Sequence, residues 1–139
     1  MMNKNDIFYV CSLIESIARS TGLNKGQIID TIGQQGIKHL YKYANVNHCL
    51  PIQQVTDEVM EQYHFNEKVN HHDYKNSIWD VGKIYQRLIV DISDENTWIN
   101  NLFDVYHSFI TDYIDDERKP IYWQSRSYIK ECYLQGEIL

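Results

Sequence analysis

Apolar residues recur every three to four positions through most of this chain, and few stretches show the strict alternation of a half-buried strand. Ile7, Val10, Cys11, Ile14, Ile17 and Ala18 make one such stripe. Asn5 or Asp6 offers it an N-cap, and Gly22 offers a left-handed stop. Asn24 with Gln27 three positions on fits a loose capping box. It opens a second helix with Ile28, Ile29 and Ile32 inward, ending between Gly33 and Gly36. A short third helix follows over 37–43, then a loop over 45–50. Pro51 suits the first residue of a fourth helix carrying Ile52, Val55, Val59, Met60 and Tyr63. Residues 64–76 are polar and aperiodic and predict the longest loop, which divides the chain in half. Ser77 caps a fifth helix with Ile78, Val81, Tyr85, Leu88, Ile89 and Ile92 inward and Trp79 at its edge. The longest predicted helix is the sixth, 97–114, with Ile99, Leu102, Phe103, Tyr106, Phe109, Ile110, Tyr113 and Ile114 on its stripe. Pro120 ends any continuation, 121–123 is an apolar connector, and a last helix over 125–135 stops at Gly136. The pattern predicts an all-α fold: an irregular bundle of six or seven helices in a single domain, 1–139.

Composition changes this picture little. The length suffices for one core, and an aromatic content of 13%, including 11 tyrosines, argues against disorder. Cys11, Cys49 and Cys132 are odd in number and lack CxxC spacing, which opposes a disulfide framework. No basic segment leads into an apolar run, and no apolar stretch is long enough to span a bilayer. A cytoplasmic protein without membrane contact is the expectation.

Charge changes it more. Lys and Arg number 13 against 19 Asp and Glu, a net charge of -6 that opposes attraction to phosphate backbones. The acidity is concentrated: 88–117 holds no Lys or Arg but contains Asp91, Asp94, Glu95, Asp104, Asp112, Asp115, Asp116 and Glu117. One reading is a solvated helix face that aids solubility. The other is a docking surface for a protein with a basic surface, contacted through Asp104, Asp112, Asp115, Asp116 and Glu117. Asp112, Asp115 and Asp116 share a helical face, but no second acidic cluster completes a two-metal site. Their place at a helix C-terminus, where the dipole disfavours carboxylates, calls for a cationic partner or for Arg118 and Lys119.

Candidate chemistry is sparse. His71, His72 and Asp73, with His64 nearby, are metal-ligand types in one loop, yet HExxH and paired-ligand spacings are absent. The bland alternative is a solvated polar loop. His48 and Cys49 are neighbours in sequence, which rarely face each other. There is no GxSxG and no phosphate-cradling glycine loop, so no catalytic residue and no cofactor is assigned. Residues 24–43 loosely fit a helix-turn-helix offering Lys38, His39 and Lys42 to DNA, against the overall charge.

The run Ile14-Glu15-Ser16-Ile17-Ala18-Arg19, then Gly22-Leu23, 28–43 and Asn47-His48, resembles a small helical bacterial family of unknown function. Its members look like antitoxin-like or accessory partners, encoded beside genes read as ADP-ribosyltransferase-type toxins. The resemblance covers about the first 65 residues and brings no catalytic residues with it. It implies a non-enzymatic protein-protein interaction module, with self-association left open. The competing readings are a small metal-dependent hydrolase using the His/Asp loop, and a DNA-binding helical domain.

Overall fold

The structure is a computed structural model that describes residues 2–69 and 72–139. His71, one of the metal candidates, lies outside the described residues. Those residues form eight α-helices and one 3-10 turn, with no strand among them.

The first helix, α1 (Lys4–Thr21), starts two residues earlier than its apolar stripe requires, because the Asn3 side chain accepts from the Asp6 amide. Gly22 closes it in the left-handed conformation. Both arms of the Asn24–Gln27 capping box form at the start of α2 (Lys25–Lys42). The break expected between Gly33 and Gly36 is a kink, not a loop. Gly33 sits at φ 78 and ψ 166 inside α2, and the two predicted helices abut across it. A side chain at that position would be strained.

A single turn, α3 (Ala44–Asn47), occupies the expected loop, and Pro51 stands just before α4 (Ile52–Gln62) as its cap. A second full capping box, Ser77 with Asp80, opens α5 (Ile78–Asp91). The predicted sixth helix is two pieces, α6 (Trp98–Tyr106) and α7 (Thr111–Ile114). Ser108 accounts for the break: its hydroxyl donates to the Val105 carbonyl and accepts from the Ile110 amide, replacing helical partners. The connector is the 3-10 turn Pro120–Trp123, and Ser125 caps α8 (Arg126–Gln135).

A central helix organises the core. α1 packs most extensively on α5, then on α2 and α4. It contributes Ile7, Val10, Leu13, Ile14 and Ile17, which meet Ile28, Ile29, Tyr85, Leu88 and Ile89 in one continuous cluster. Burying each of these side chains is worth about 1.5–3 kcal/mol against exposure. The α1–α5 crossing is close because Gly82 faces Ser12. A methyl on Gly82 would stand 2.3 Å from Ser12 Oγ and 3.0 Å from Ser12 backbone atoms. On α6 Leu102 and Tyr106 are buried as expected, but Trp98, at 4% exposure, and Val105 join them, while Ile99 and Phe103 are only partly covered.

Candidate functional site

The acidic segment is less available than its sequence implies. Asp115 does not stand on an outer face as a free docking charge. Its Oδ1 turns inward to Lys25 Nζ at 2.6 Å and accepts from the Tyr85 hydroxyl at 2.5 Å. Asp116 is tied to Arg118, whose guanidinium and backbone amide both donate to it and hold its carboxyl below the usual range. Lys119 closes the same turn by donating to the Asp112 carbonyl. The cations that follow the helix therefore supply what its C-terminus demands, as the sequence allowed. Asp91 is paired with Arg126 at 2.6 Å. Asp104 and Asp112 stay exposed, and Glu117 is half-buried.

His72 packs its ring on Tyr74 at 4.3 Å, and Asp73 is exposed. Among the described residues no group of three or more His, Cys, Asp or Glu is placed to hold a metal ion. His48 and Cys49 diverge: His48 stands edge-on to Tyr9 at 5.6 Å, while Cys49 Sγ donates to the Asn45 carbonyl. Lys38, His39 and Lys42 are exposed on the second half of α2, where His39 and Lys42 lean on the Tyr43 ring.

Two arrangements emerge that the sequence did not announce. The first is a charged corner at the end of α1. Lys25, in the first turn of α2, has a side chain only 5% exposed, and its ammonium lies 2.5 Å from Glu15 Oε1. Arg19 Nε donates to Glu15 Oε2 at 2.9 Å, and its two terminal nitrogens clamp the carbonyl and side-chain oxygens of Asn76. The guanidinium also lies 4.0 Å above the Tyr74 ring. Burial alone would pull the Lys25 pKa down, but Glu15 and Asp115 together outweigh it and raise it. The network continues inward. Tyr85 stacks on Tyr106 at 4.6 Å, and burial raises both hydroxyls well above their ordinary value. Cys11, beside Tyr106, is pushed up to about 12, chiefly by burial. Such a thiol is inert at neutral pH. Only the i, i+4 spacing of Glu15 and Arg19 was visible beforehand.

The second arrangement is an exposed aromatic ridge. Trp123 is 73% exposed, yet it is fixed: its indole Nε1 donates to the Glu117 carbonyl at 2.7 Å, and its ring meets Tyr122 edge-on at 4.9 Å. The ridge borders a groove of about 440 Å³ whose wall carries Lys75, Lys83, Arg87, Asp80 and Glu117. No helix among the described residues is long and apolar enough to cross a membrane.

No family model, curated protein or solved structure matches this chain.

Proposed function

We propose that this protein is a non-enzymatic interaction module that docks a partner protein through the Trp123 ridge. The observation that carries the reading is a tryptophan held rigidly in the open. A large ring left in water gives up its burial energy, and rigid exposed aromatics are the side chains that most often anchor interfaces. Fixing the indole on the Glu117 carbonyl also lowers the entropy cost of docking. Charges of both signs line the groove beside the ring, Lys83, Arg87 and Glu117 among them. A polar rim around an aromatic centre is ordinary interface anatomy. The partner with a basic surface expected from the acidic segment keeps Glu117, Asp112 and Asp104 as contact points, while Asp115 and Asp116 are engaged within the chain. An antitoxin or accessory role rests on the resemblance of the first 65 residues.

The test is co-purification with the product of the adjacent gene, followed by Trp123→Ala. Stoichiometric binding that weakens at least about tenfold in the variant supports the reading. No binding by the wild type, with host growth unchanged on co-expression, rejects the two-gene role. Binding that is indifferent to Trp123→Ala rejects the ridge.

A further inference from the structure

The charged corner walls a cavity of about 420 Å³, between the end of α1, the start of α2 and the segment after α4. That volume falls in the range of small-ligand sites. We propose that this cavity binds a small organic oxyanion, a molecule with a phosphate or carboxylate head and a short apolar body.

Four observations lead there. An ammonium has three N–H donors. Lys25 donates one to Asp115, pairs its charge with Glu15 and lies over the Tyr85 ring, which places a cation with a side chain only 5% exposed in the cavity wall. Three of the four carboxylate oxygens in the wall are engaged: Glu15 Oε1 pairs with Lys25, Glu15 Oε2 accepts from Arg19, and Asp115 Oδ1 accepts from Lys25 and Tyr85. A cationic ligand would have to compete with those pairs, whereas an anion would not. Lys68 brings a further cation to the opposite wall. Its backbone amide is anchored on the Ser20 carbonyl at 2.9 Å, and its stem crosses Gly22 so closely that a methyl there would lie 3.3 Å from Lys68 Cδ. Among the described residues no carboxylate lies within ion-pair range of Lys68 Nζ.

Among the described residues of the wall the charged groups are Arg19, Lys25 and Lys68 against Glu15 and Asp115, which leaves positive charge in excess. Asn24 and Lys25 also set the N-terminus of the 18-residue α2 at the cavity, and its dipole favours an anion. Ala18, Leu23 and Val69 supply the apolar wall for the ligand body. A surface lysine, a buried ammonium and a helix terminus converge on a single space.

The experiment is an amide NMR titration of the full chain with inorganic phosphate, glycerol 3-phosphate and succinate, against sodium chloride at matched ionic strength. Expected are saturable shifts at residues 18–25 and 68 for at least one oxyanion, with none for chloride. The esterified phosphate should bind more tightly than the free ion, because only it fills the apolar wall. Lys68→Ala changes a surface side chain, so its fold is kept, as circular dichroism will verify. It should weaken binding about tenfold, the worth of one charge-assisted hydrogen bond. No saturable shift, shifts spread evenly over Lys83 and Arg87, or equal affinity in Lys68→Ala would each overturn the proposal. Lys25→Met is kept as a second variant, judged only if folded. Undiminished phosphate binding in it also counts against the site.

Discussion

The helix α1 makes two different contacts within a few residues. At Ser12 it meets Gly82 of α5 in a seam so close that no side chain fits between them. One turn further on, Glu15 meets Lys25 through buried charge, and Lys25 in turn holds Asp115. The first contact is held by shape and dispersion, the second by electrostatics. They fail in different ways: a seam held by shape cannot admit an added methyl, and a corner held by charge cannot lose one partner without stranding the others.

The sharpest way to break the comparison is Lys25→Met. It keeps the length of the side chain but leaves Glu15 and Asp115 without their shared ammonium. A loss of about 3 kcal/mol in urea unfolding at pH 7 is expected, the low end for breaking a buried pair, because Glu15 keeps Arg19 and Asp115 is 38% exposed. Adding Glu15→Gln and Asp115→Asn should restore much of it. If the triple variant is no more stable than the single one, length and packing hold the corner rather than charge.

Gly82→Ala tests the seam, with an expected cost of roughly 1–3 kcal/mol from overpacking, independent of salt. A neutral result would show that α1 and α5 can separate freely.

Raising the pH weakens the corner from inside. The Tyr85 hydroxyl and the Lys25 ammonium both titrate higher in the fold than in the unfolded chain. Their stabilisation is complete below about pH 10 and is lost as pH rises through the folded values. Tyr85→Phe should cost about 1 kcal/mol at pH 7, where Asp115 keeps Lys25, and should flatten the fall in stability above about pH 10. Parallel alkaline curves for variant and wild type would remove Tyr85 from the account.

The smallest effect concerns thiols. Cys49 is exposed, while Cys11 and Cys132 are buried. A disulfide-exchange reagent should therefore find a single fast thiol in the native protein and the others only after unfolding. Fast reaction of Cys11 would mean that the seam opens readily.

The helices that form the seam were legible in the chain and the corner was not, for a physical reason. Apolar periodicity and capping residues act locally, so the stripe of α1, the Asn24–Gln27 capping box, the Ser77 cap and the stop at Gly136 could be read residue by residue. The break after Tyr106 was missed because a continuous stripe outweighed one serine that competes for backbone partners. The corner joins Lys25 to Asp115 across 90 positions, and Tyr85 to Asp115 across 30. Nothing in local spacing reports such a meeting, and Asp115 read by itself looked like a surface carboxylate. Trp123 was seen only as part of a connector, since exposure is decided by what the rest of the chain leaves uncovered.

The tryptophans make the molecule its own optical gauge. Trp98 is sealed in the core at 4% exposure, Trp79 is half-covered among Phe8 and Tyr9, and Trp123 stands in water. Their emission is thus a superposition of a blue, shielded component and a red one within reach of an aqueous quencher. Covering the ridge would move only the red component, and loosening the core would move only the blue, so a single spectrum separates docking from unfolding.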